Sequence, residues 1–342
     1  MSEHLLDVRE LRVHFELEEG TARAVDGLSL RLEAGEALGL VGESGCGKTV
    51  TCLSLLGLLE SPPARILPGS SIRLRGEELV GASPDALRRV RGGGIAMIFQ
   101  EPGTSLNPVL TVGAQIAEVL REHRDLDRRE LRDVAADLLG EVGIPEAEER
   151  LDAHPHQLSG GMRQRVMIAM ALACDPRILV ADEPTTALDV TIQAQILALL
   201  DRIRRERGMA LILVSHDLAV VAQVCERVAV MYGGRAVEMG PADSVFSRPR
   251  HPYTEGLLAS IPGTGRAPGE LQAIPGSVPA PTAWPSGCRF RDRCAHAWGR
   301  CAEDEPPLLA PEETARDHRA RCWLVEEPGR RGRARVSGGD GR

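Results

Sequence analysis

Short, wholly apolar segments alternate along the chain with longer segments in which apolar residues recur every three to four positions. The short segments cover residues 37–41, 95–99, 178–181, 211–214 and 228–231. Their length and β-branched content predict buried strands, and the amphipathic stretches 131–142 and 191–205 predict helices. This alternation predicts an α/β fold with a mostly parallel sheet covered by helices.

Other segments depart from this pattern. Residues 6–15 and 28–32 alternate more strictly between apolar and polar positions, which favours an antiparallel edge. Residues 102–160 indicate a helical subdomain without a central strand. We therefore predict one large domain over residues 1–250. A smaller C-terminal extension is predicted over 251–324, with a Pro- and Gly-rich stretch at 262–287, and an Arg/Gly-rich disordered tail over 325–342.

Composition limits the function. The formal net charge of −8 argues against nucleic-acid binding, which usually requires a basic face. No apolar run approaches the roughly 18 residues of a membrane span, and the first residues lack the basic and apolar regions of a signal peptide. We expect a cytosolic chain whose role at a membrane depends on partner proteins.

A glycine-rich loop follows the predicted strand 37–41 and precedes a helix, which is the context of a nucleotide-binding P-loop. Its backbone N–H groups and the helix N-terminus would cradle phosphates. Lys48, the only lysine among 41 basic residues, would lie between the β- and γ-phosphates, and the Thr49 hydroxyl would bind Mg²⁺. The alternative is a plain glycine-rich turn. The predicted nucleotide-binding residues of this phosphate loop are Gly42, Glu43, Ser44, Gly45, Cys46, Gly47, Lys48 and Thr49. Cys46, usually a neutral occupant of such a position, could have a lowered pKa near the helix dipole.

Two further segments carry candidate chemistry. The strand at 178–181 ends in Asp182, a candidate Mg²⁺ ligand, and Glu183, a candidate general base. Ser159, Gly160 and Gly161 begin a helix and form a second anion cradle. In isolation these would be a solvated strand end and an ordinary helix cap.

Together these motifs resemble the ABC transporter ATPase family over about residues 5–260. The resemblance implies that the Leu-Ser-Gly-Gly segment at 158–161 closes on ATP held by a partner subunit. It also implies that Gln100 is the Q-loop residue that touches Mg²⁺ and the attacking water, that Asp189 lies in the D-loop, and that His216 contacts the γ-phosphate. Phe15 stands where the family stacks an aromatic ring on adenine, with an ordinary core residue as the alternative. Met162 replaces the glutamine of the family pattern.

Three segments resemble the oligopeptide/dipeptide importer subfamily, and specifically its D-type ATPase subunit: residues 97–108, 156–172 and 251–254. The resemblance implies a second ABC ATPase subunit, two transmembrane permeases and an extracellular solute-binding protein as partners. It places the chain peripherally at the cytoplasmic face of the cell membrane. Importers of nickel, glutathione or sugar share much of this pattern and remain alternatives.

Four cysteines crowd into the extension: Cys288, Cys294, Cys301 and Cys322. Some members of the resembled subfamily hold a [4Fe–4S] cluster here, and four thiolates are what such a cluster requires. Zinc and unligated thiols are the alternatives. Six nearby arginines would offset a negatively charged centre, namely Arg289, Arg291, Arg293, Arg300, Arg319 and Arg321.

Two other classes of function fit the sequence less well. A soluble ABC ATPase acting on DNA or ribosomes usually carries long insertions or two cassettes, and this chain has neither. A metal sensor with a vestigial cassette conflicts with the complete set of Lys48, Asp182, Glu183 and His216. The prediction is therefore an ATPase that uses ATP and Mg²⁺ to drive solute import.

Overall fold

The computed structural model describes residues 4–100, 105–186, 188–261, 274–310 and 317–331. Its strands are β1 (Leu6–Leu17), β2 (Gly20–Leu32), β3 (Ala37–Val41), β4 (Ala64–Ile66), β5 (Ser71–Leu74), β6 (Glu77–Glu78), β7 (Ile95–Ile98), β8 (Ile178–Asp182), β9 (Ala210–Ser215), β10 (Arg227–Tyr232), β11 (Arg235–Pro241) and β12 (Arg319–Ala320). Its helices are α1 (Lys48–Leu55), α2 (Pro84–Val90), α3 (Val112–His123), α4 (Arg128–Glu141), α5 (Ala147–Arg150), α6 (Gly160–Leu172), α7 (Val190–Arg207), α8 (Leu218–Val224), α9 (Ala242–Ser247), α10 (Pro252–Ala259) and α11 (Gly299–Glu303). Short 3₁₀ segments cover Pro155–Gln157, Trp323–Val325 and Pro328–Arg330.

The main sheet has seven strands in the order β12-β11-β10-β3-β9-β8-β7. The five strands from β10 to β7 are parallel, and these are the five apolar segments recognised in the sequence. β11 and β12 add an antiparallel edge. The predicted α/β fold with a mostly parallel sheet is therefore confirmed.

The first strands lie elsewhere than expected. β1 pairs with β2, β4 and β5 in a separate antiparallel sheet of five strands, and does not form an edge of the parallel sheet. Strict alternation indicated correctly that these strands expose one face and bury the other. It carries no information about which sheet they join.

Successive residues of the central strands point into two different cores. In β3, Ala37 and Val41 pack in a core shared with the helices, while Leu38 and Leu40 face the antiparallel sheet. Because both faces are covered, β3, β8 and β9 are buried along their whole length, as expected for parallel strands. The loops at the ends of these strands thus start from fixed positions.

The predicted helical region contains α3, α4 and α5, followed by α6, and the described part of 102–160 has no strand. Thr111 caps α3, and Asp127 with Glu130 forms a capping box at α4. Residues 102–104 of the predicted subdomain lie outside the described residues. No helix in the described ranges is long and apolar enough to cross a membrane.

The C-terminal extension is attached to the main sheet. β12 pairs with β11, and Nε2 of His318 lies 2.7 Å from Oε1 of the fully buried Glu238. The disordered tail predicted from 325 starts too early, because Glu326 and Glu327 pair with Arg300 at 3.0 and 3.1 Å. Residues 332–342 lie outside the described part of the chain, as do 262–273 of the Pro- and Gly-rich stretch.

Candidate functional site

The carboxyl ends of four neighbouring parallel strands bring several predicted site residues together. The phosphate loop follows β3, Gln100 follows β7, Asp182 and Glu183 stand at the end of β8, and His216 follows β9. The carboxyl ends of parallel strands are where open α/β sheets bind ligands. The order β3-β9-β8-β7 explains why residues from four separate motifs meet.

The phosphate loop is held close to neighbouring backbone at two glycines. Gly42 has φ 153°, and a Cβ there would lie 2.2 Å from the carbonyl oxygen of Met231. Gly47, with φ 102°, would place a Cβ 2.4 Å from the carbonyl oxygen of Ala24 in β2. Both positions exclude a side chain, so the loop is seated between the two sheets.

Lys48 is buried, and its ammonium group closes the loop on itself. Nζ donates to the carbonyl oxygens of Gly42 at 2.7 Å and of Glu43 at 3.2 Å. Helix α1 begins at Lys48, so the N–H groups of Lys48 and Thr49 have no acceptor one turn earlier. A positive side chain and the N–H groups of a helix start at one position suit an anionic phosphate.

Asp182 and Thr49 face each other beside this loop. Burial raises the pKa of the Asp182 carboxyl, and a hydrogen bond from Thr49 acts in the opposite direction. The oxygen Oδ1 of Asp182 is buried and has no hydrogen-bond partner among the described residues. A buried carboxylate oxygen without a donor, next to the hydroxyl of the exposed residue Thr49, fits Mg²⁺, which prefers oxygen ligands.

Three side chains converge on one oxygen of Glu183. Its Oε2 accepts from Nε2 of Gln100 at 3.1 Å and from Oγ1 of Thr186 at 2.9 Å, and lies 3.3 Å from Nδ1 of His216. Glu183 itself has φ 46°, a strained conformation for a residue with a side chain. The arrangement fixes the direction of the carboxylate. The bond between Thr186 and Glu183 was not predicted from the sequence.

The second predicted anion cradle lies apart from the phosphate loop. Ser159 caps α6 by accepting from the N–H of Met162 at 3.3 Å. A Cβ on Gly161 would approach Ile192 at 3.0 Å, so the cradle packs against the start of α7, which Asp189 caps. In the described ranges no hydrogen bond or ion pair joins residues 159–161 to the phosphate loop. Ala187, two positions before Asp189, lies outside the described residues.

Two further sequence predictions concern residues at or near the phosphate loop, Cys46 and Phe15. The lowered pKa predicted for Cys46 is wrong, because burial raises the pKa of this thiol more than the nearby Lys48 lowers it. Phe15 lies on β1, paired with Ala22 and Ala64, and packs partly buried against the core between the sheets. Its predicted stacking on adenine stays a prediction.

The four cysteines of the extension line one apolar cavity. Burial raises the pKa of Cys288 and of Cys322 to about 12, which favours neutral thiols. Within the described residues, no group of three or more His, Cys, Asp or Glu side chains is arranged to hold a metal ion. The expectation of a [4Fe–4S] cluster or zinc is therefore not supported by this geometry.

Three arginines of the extension form direct contacts with acidic side chains or backbone carbonyls. Arg289 binds Asp26 and the carbonyl of Gly233, and Arg300 pairs with the two glutamates named above. Arg321 donates to the carbonyl oxygens of Ala236 and Pro306. Their interpretation as counter-charges of a cluster stays a prediction.

Two residues of the extension reach the phosphate loop, and sequence reasoning missed both contacts. Arg293 donates from Nη1 and Nη2 to the carboxylate of Glu43 at 2.6 and 3.0 Å. Tyr253 accepts, at its hydroxyl oxygen, from the N–H of Glu43 at 2.8 Å. Tyr253 lies in the His-Pro-Tyr-Thr segment that carried the subfamily resemblance, but nothing in its spacing pointed to residue 43.

Comparison with known proteins agrees with this geometry. Residues 25–186 match the family described as ABC transporter, and residues 237–301 match the C-terminal region of oligopeptide/dipeptide transporters. A putative peptide import ATP-binding protein of Brucella abortus (strain 2308) is 52% identical over 302 residues, covering 88% of this chain and 90% of that protein. The oligopeptide transport ATP-binding protein AppD of Bacillus subtilis (strain 168) is 47% identical over 325 residues, covering 95% and 98%.

Solved structures show the same cassette. A dimeric ATP-binding cassette, MJ0796, in a post-hydrolysis state with ADP and Pi has a TM-score of 0.62 and 26% identity, covering 69% of this chain and 98% of that one. CbiO1 from Clostridium perfringens, part of an ABC transporter complex, has a TM-score of 0.60 and 27% identity, covering 72% and 92%.

The parallel sheet, the phosphate loop and the acidic end of β8 define a P-loop ATPase with the ATP-binding cassette fold. Its extension matches a second family region beyond the cassette. The chain belongs to the ATP-binding proteins of ABC transporters, within the group that carries the oligopeptide/dipeptide C-terminal region.

Proposed function

We propose that this chain is the energy-coupling ATPase subunit of an importer of oligopeptides or dipeptides. The observation that carries the substrate class is the identity of about one residue in two with peptide import ATP-binding proteins, which extends over both the cassette and the extension. The relatives reported above carry names that refer to peptide or oligopeptide transport.

The phosphate loop binds the nucleotide. Lys48 and the N–H groups at the start of α1 hold the β- and γ-phosphates, and Phe15 stacks on adenine. Thr49, Gln100 and Asp182 would hold Mg²⁺, and the bound ion would offset negative charge on the phosphate oxygens. The partnerless Oδ1 of Asp182 supports this assignment.

Glu183 is the general base of hydrolysis. Its Oε2 is occupied by Gln100, Thr186 and His216, and none of the described residues donates a hydrogen bond to Oε1. That oxygen is left to accept a proton from the water that attacks the γ-phosphorus, while ADP departs. His216 holds the carboxylate in this orientation and contacts the γ-phosphate.

The site is completed by a second subunit. Residues Ser159, Gly160 and Gly161 form an anion cradle that does not touch the phosphate loop of the same chain. In a head-to-tail pair this cradle closes on ATP held by the partner ATPase, with Asp189 beside it. Two permeases and a solute-binding protein complete the transporter, and the chain lies peripherally at the cytoplasmic membrane face.

Replacing Glu183 by glutamine tests the chemical assignment. The amide of glutamine has nearly the size of the carboxylate and can still form hydrogen bonds, but it cannot accept the proton. We therefore expect ATP hydrolysis to fall by about 10²- to 10⁴-fold. MgATP binding should stay within about twofold of wild type. Steady-state phosphate release and equilibrium binding to the full chain measure the two quantities. Near-normal turnover in Glu183→Gln would remove Glu183 as the base.

A further inference from the structure

Glu43 is a residue of the phosphate loop whose carboxylate and N–H group both bond to residues of the C-terminal extension. Both carboxylate oxygens accept from Arg293, and its N–H donates to Tyr253. These partners lie 250 and 210 positions further along the chain. The N–H of Glu43 is therefore unavailable to phosphate, and the loop begins at a point that the extension holds.

The extension presents these two groups rigidly. Arg293 is 7% exposed, and its Nε donates to the carbonyl oxygen of Pro275 at 3.0 Å. Its guanidinium lies over the ring of Phe290, 5.9 Å from the centroid, and Tyr253 is fully buried with its ring 5.4 Å from that of Phe290. A planar, bidentate guanidinium fixed at both ends restricts a carboxylate in direction as well as distance.

The same segment positions Lys48. The carbonyl oxygens of Gly42 and Glu43 are the acceptors of its ammonium group. The backbone of Gly42 approaches the carbonyl of Met231 so closely that a Cβ at this position would lie 2.2 Å from its oxygen. A change in the position of Glu43 would therefore move a carbonyl that orients Lys48.

We propose that Arg293 is a positioning residue for ATP binding: through Glu43 it fixes the backbone that orients Lys48, so the C-terminal extension sets the nucleotide affinity of the cassette. This rests on ATP binding at the phosphate loop and does not depend on the transported solute. Arg293 is assigned no contact with ATP, and its guanidinium bonds to Glu43 and to the carbonyl oxygens of Pro275 and Ile274.

The test compares Arg293→Gln with wild type in the full chain, by displacement of a fluorescent ATP analogue with MgATP. Loss of a bidentate charged pair that preorganises the loop should raise the Kd about tenfold. In the assembled ATPase the KM for ATP should rise similarly while kcat stays within about twofold, because Glu183 and its three partners are untouched. Arg293→Lys, which keeps the charge but loses the fork, should raise the Kd by about threefold.

Arg300→Gln is the matched control. Arg300 lies in the same extension and also pairs with carboxylates, Glu326 and Glu327, but does not contact the phosphate loop. The Kd of Arg300→Gln for MgATP should stay within about twofold of the wild-type value. Thermal unfolding of both variants shows whether loss of stability accompanies any change in affinity.

Glu43→Gln and the double variant complete the cycle. If Arg293 acts through Glu43, the double variant should bind MgATP no more weakly than Arg293→Gln alone. The proposal is overturned if the Kd of Arg293→Gln is unchanged, if Arg300→Gln weakens binding equally, or if the two single effects multiply in the double variant. Failure of wild type itself to bind MgATP would instead overturn the nucleotide site.

Discussion

At the scale of single residues, the site depends on a few side chains whose types could be predicted, in an arrangement that could not. Lys48, Asp182 and Glu183 stand in local motifs whose chemistry follows from residue type and strand context. The contact of Thr186 with Glu183 depends on the exact turn after β8, and the contact of Arg293 with Glu43 spans 250 positions. The spacing of residues within the local motifs indicates neither contact.

The unique lysine permits a direct residue-scale prediction. Apart from the α-amino group, Lys48 is the only primary amine of the chain, and it is 5% exposed. MgATP should slow acylation of Lys48 by at least about tenfold, because the bound phosphates would cover the amino group. Peptide mapping by mass spectrometry measures the rate, with the α-amino group as internal control. Equal rates with and without MgATP would contradict placement of phosphate at Lys48.

At the scale of elements, the periodicity of the sequence predicted the parallel strands well because both of their faces are buried. Periodicity did not predict the position of β1, because alternation indicates which face of a strand is buried and not which strands pair with it. The Cys46 expectation failed for a related reason: a helix dipole can be inferred from sequence, whereas complete burial of a thiol depends on how β2 and β10 pack around the loop.

Packing between β3 and α8 gives an element-scale prediction. A Cβ on Gly39 would lie 2.2 Å from Cγ1 of Val221, so Gly39→Ala should lower the free energy of unfolding by about 1–3 kcal/mol. Gly140 in α4 has open space around it, and Gly140→Ala should raise that free energy by about 0.5–1 kcal/mol. Urea unfolding of the two variants measures both changes. A neutral or stabilising Gly39→Ala would contradict the close approach of this strand and helix.

At the scale of the whole molecule, the extension is integrated with the cassette. β12 continues the main sheet, Arg289 reaches Asp26 of β2, and Arg293 reaches Glu43. Burial alone would raise the pKa of Asp26, but Arg235 and Arg289 hold it at about 2. The extension thus bonds both to the second sheet and to the nucleotide site, which composition and cysteine spacing did not indicate.

The central claim is that ATP hydrolysis at this chain drives peptide import. The most direct test is uptake of a labelled oligopeptide into vesicles that contain the chain with its co-purified permeases and binding protein, energised by MgATP, using wild type and Glu183→Gln. The account predicts uptake with wild type and at least a 100-fold slower rate with Glu183→Gln, because the base is lost while ATP binding persists. ATP-dependent uptake at an unchanged rate in Glu183→Gln, or its absence with wild type, would contradict it.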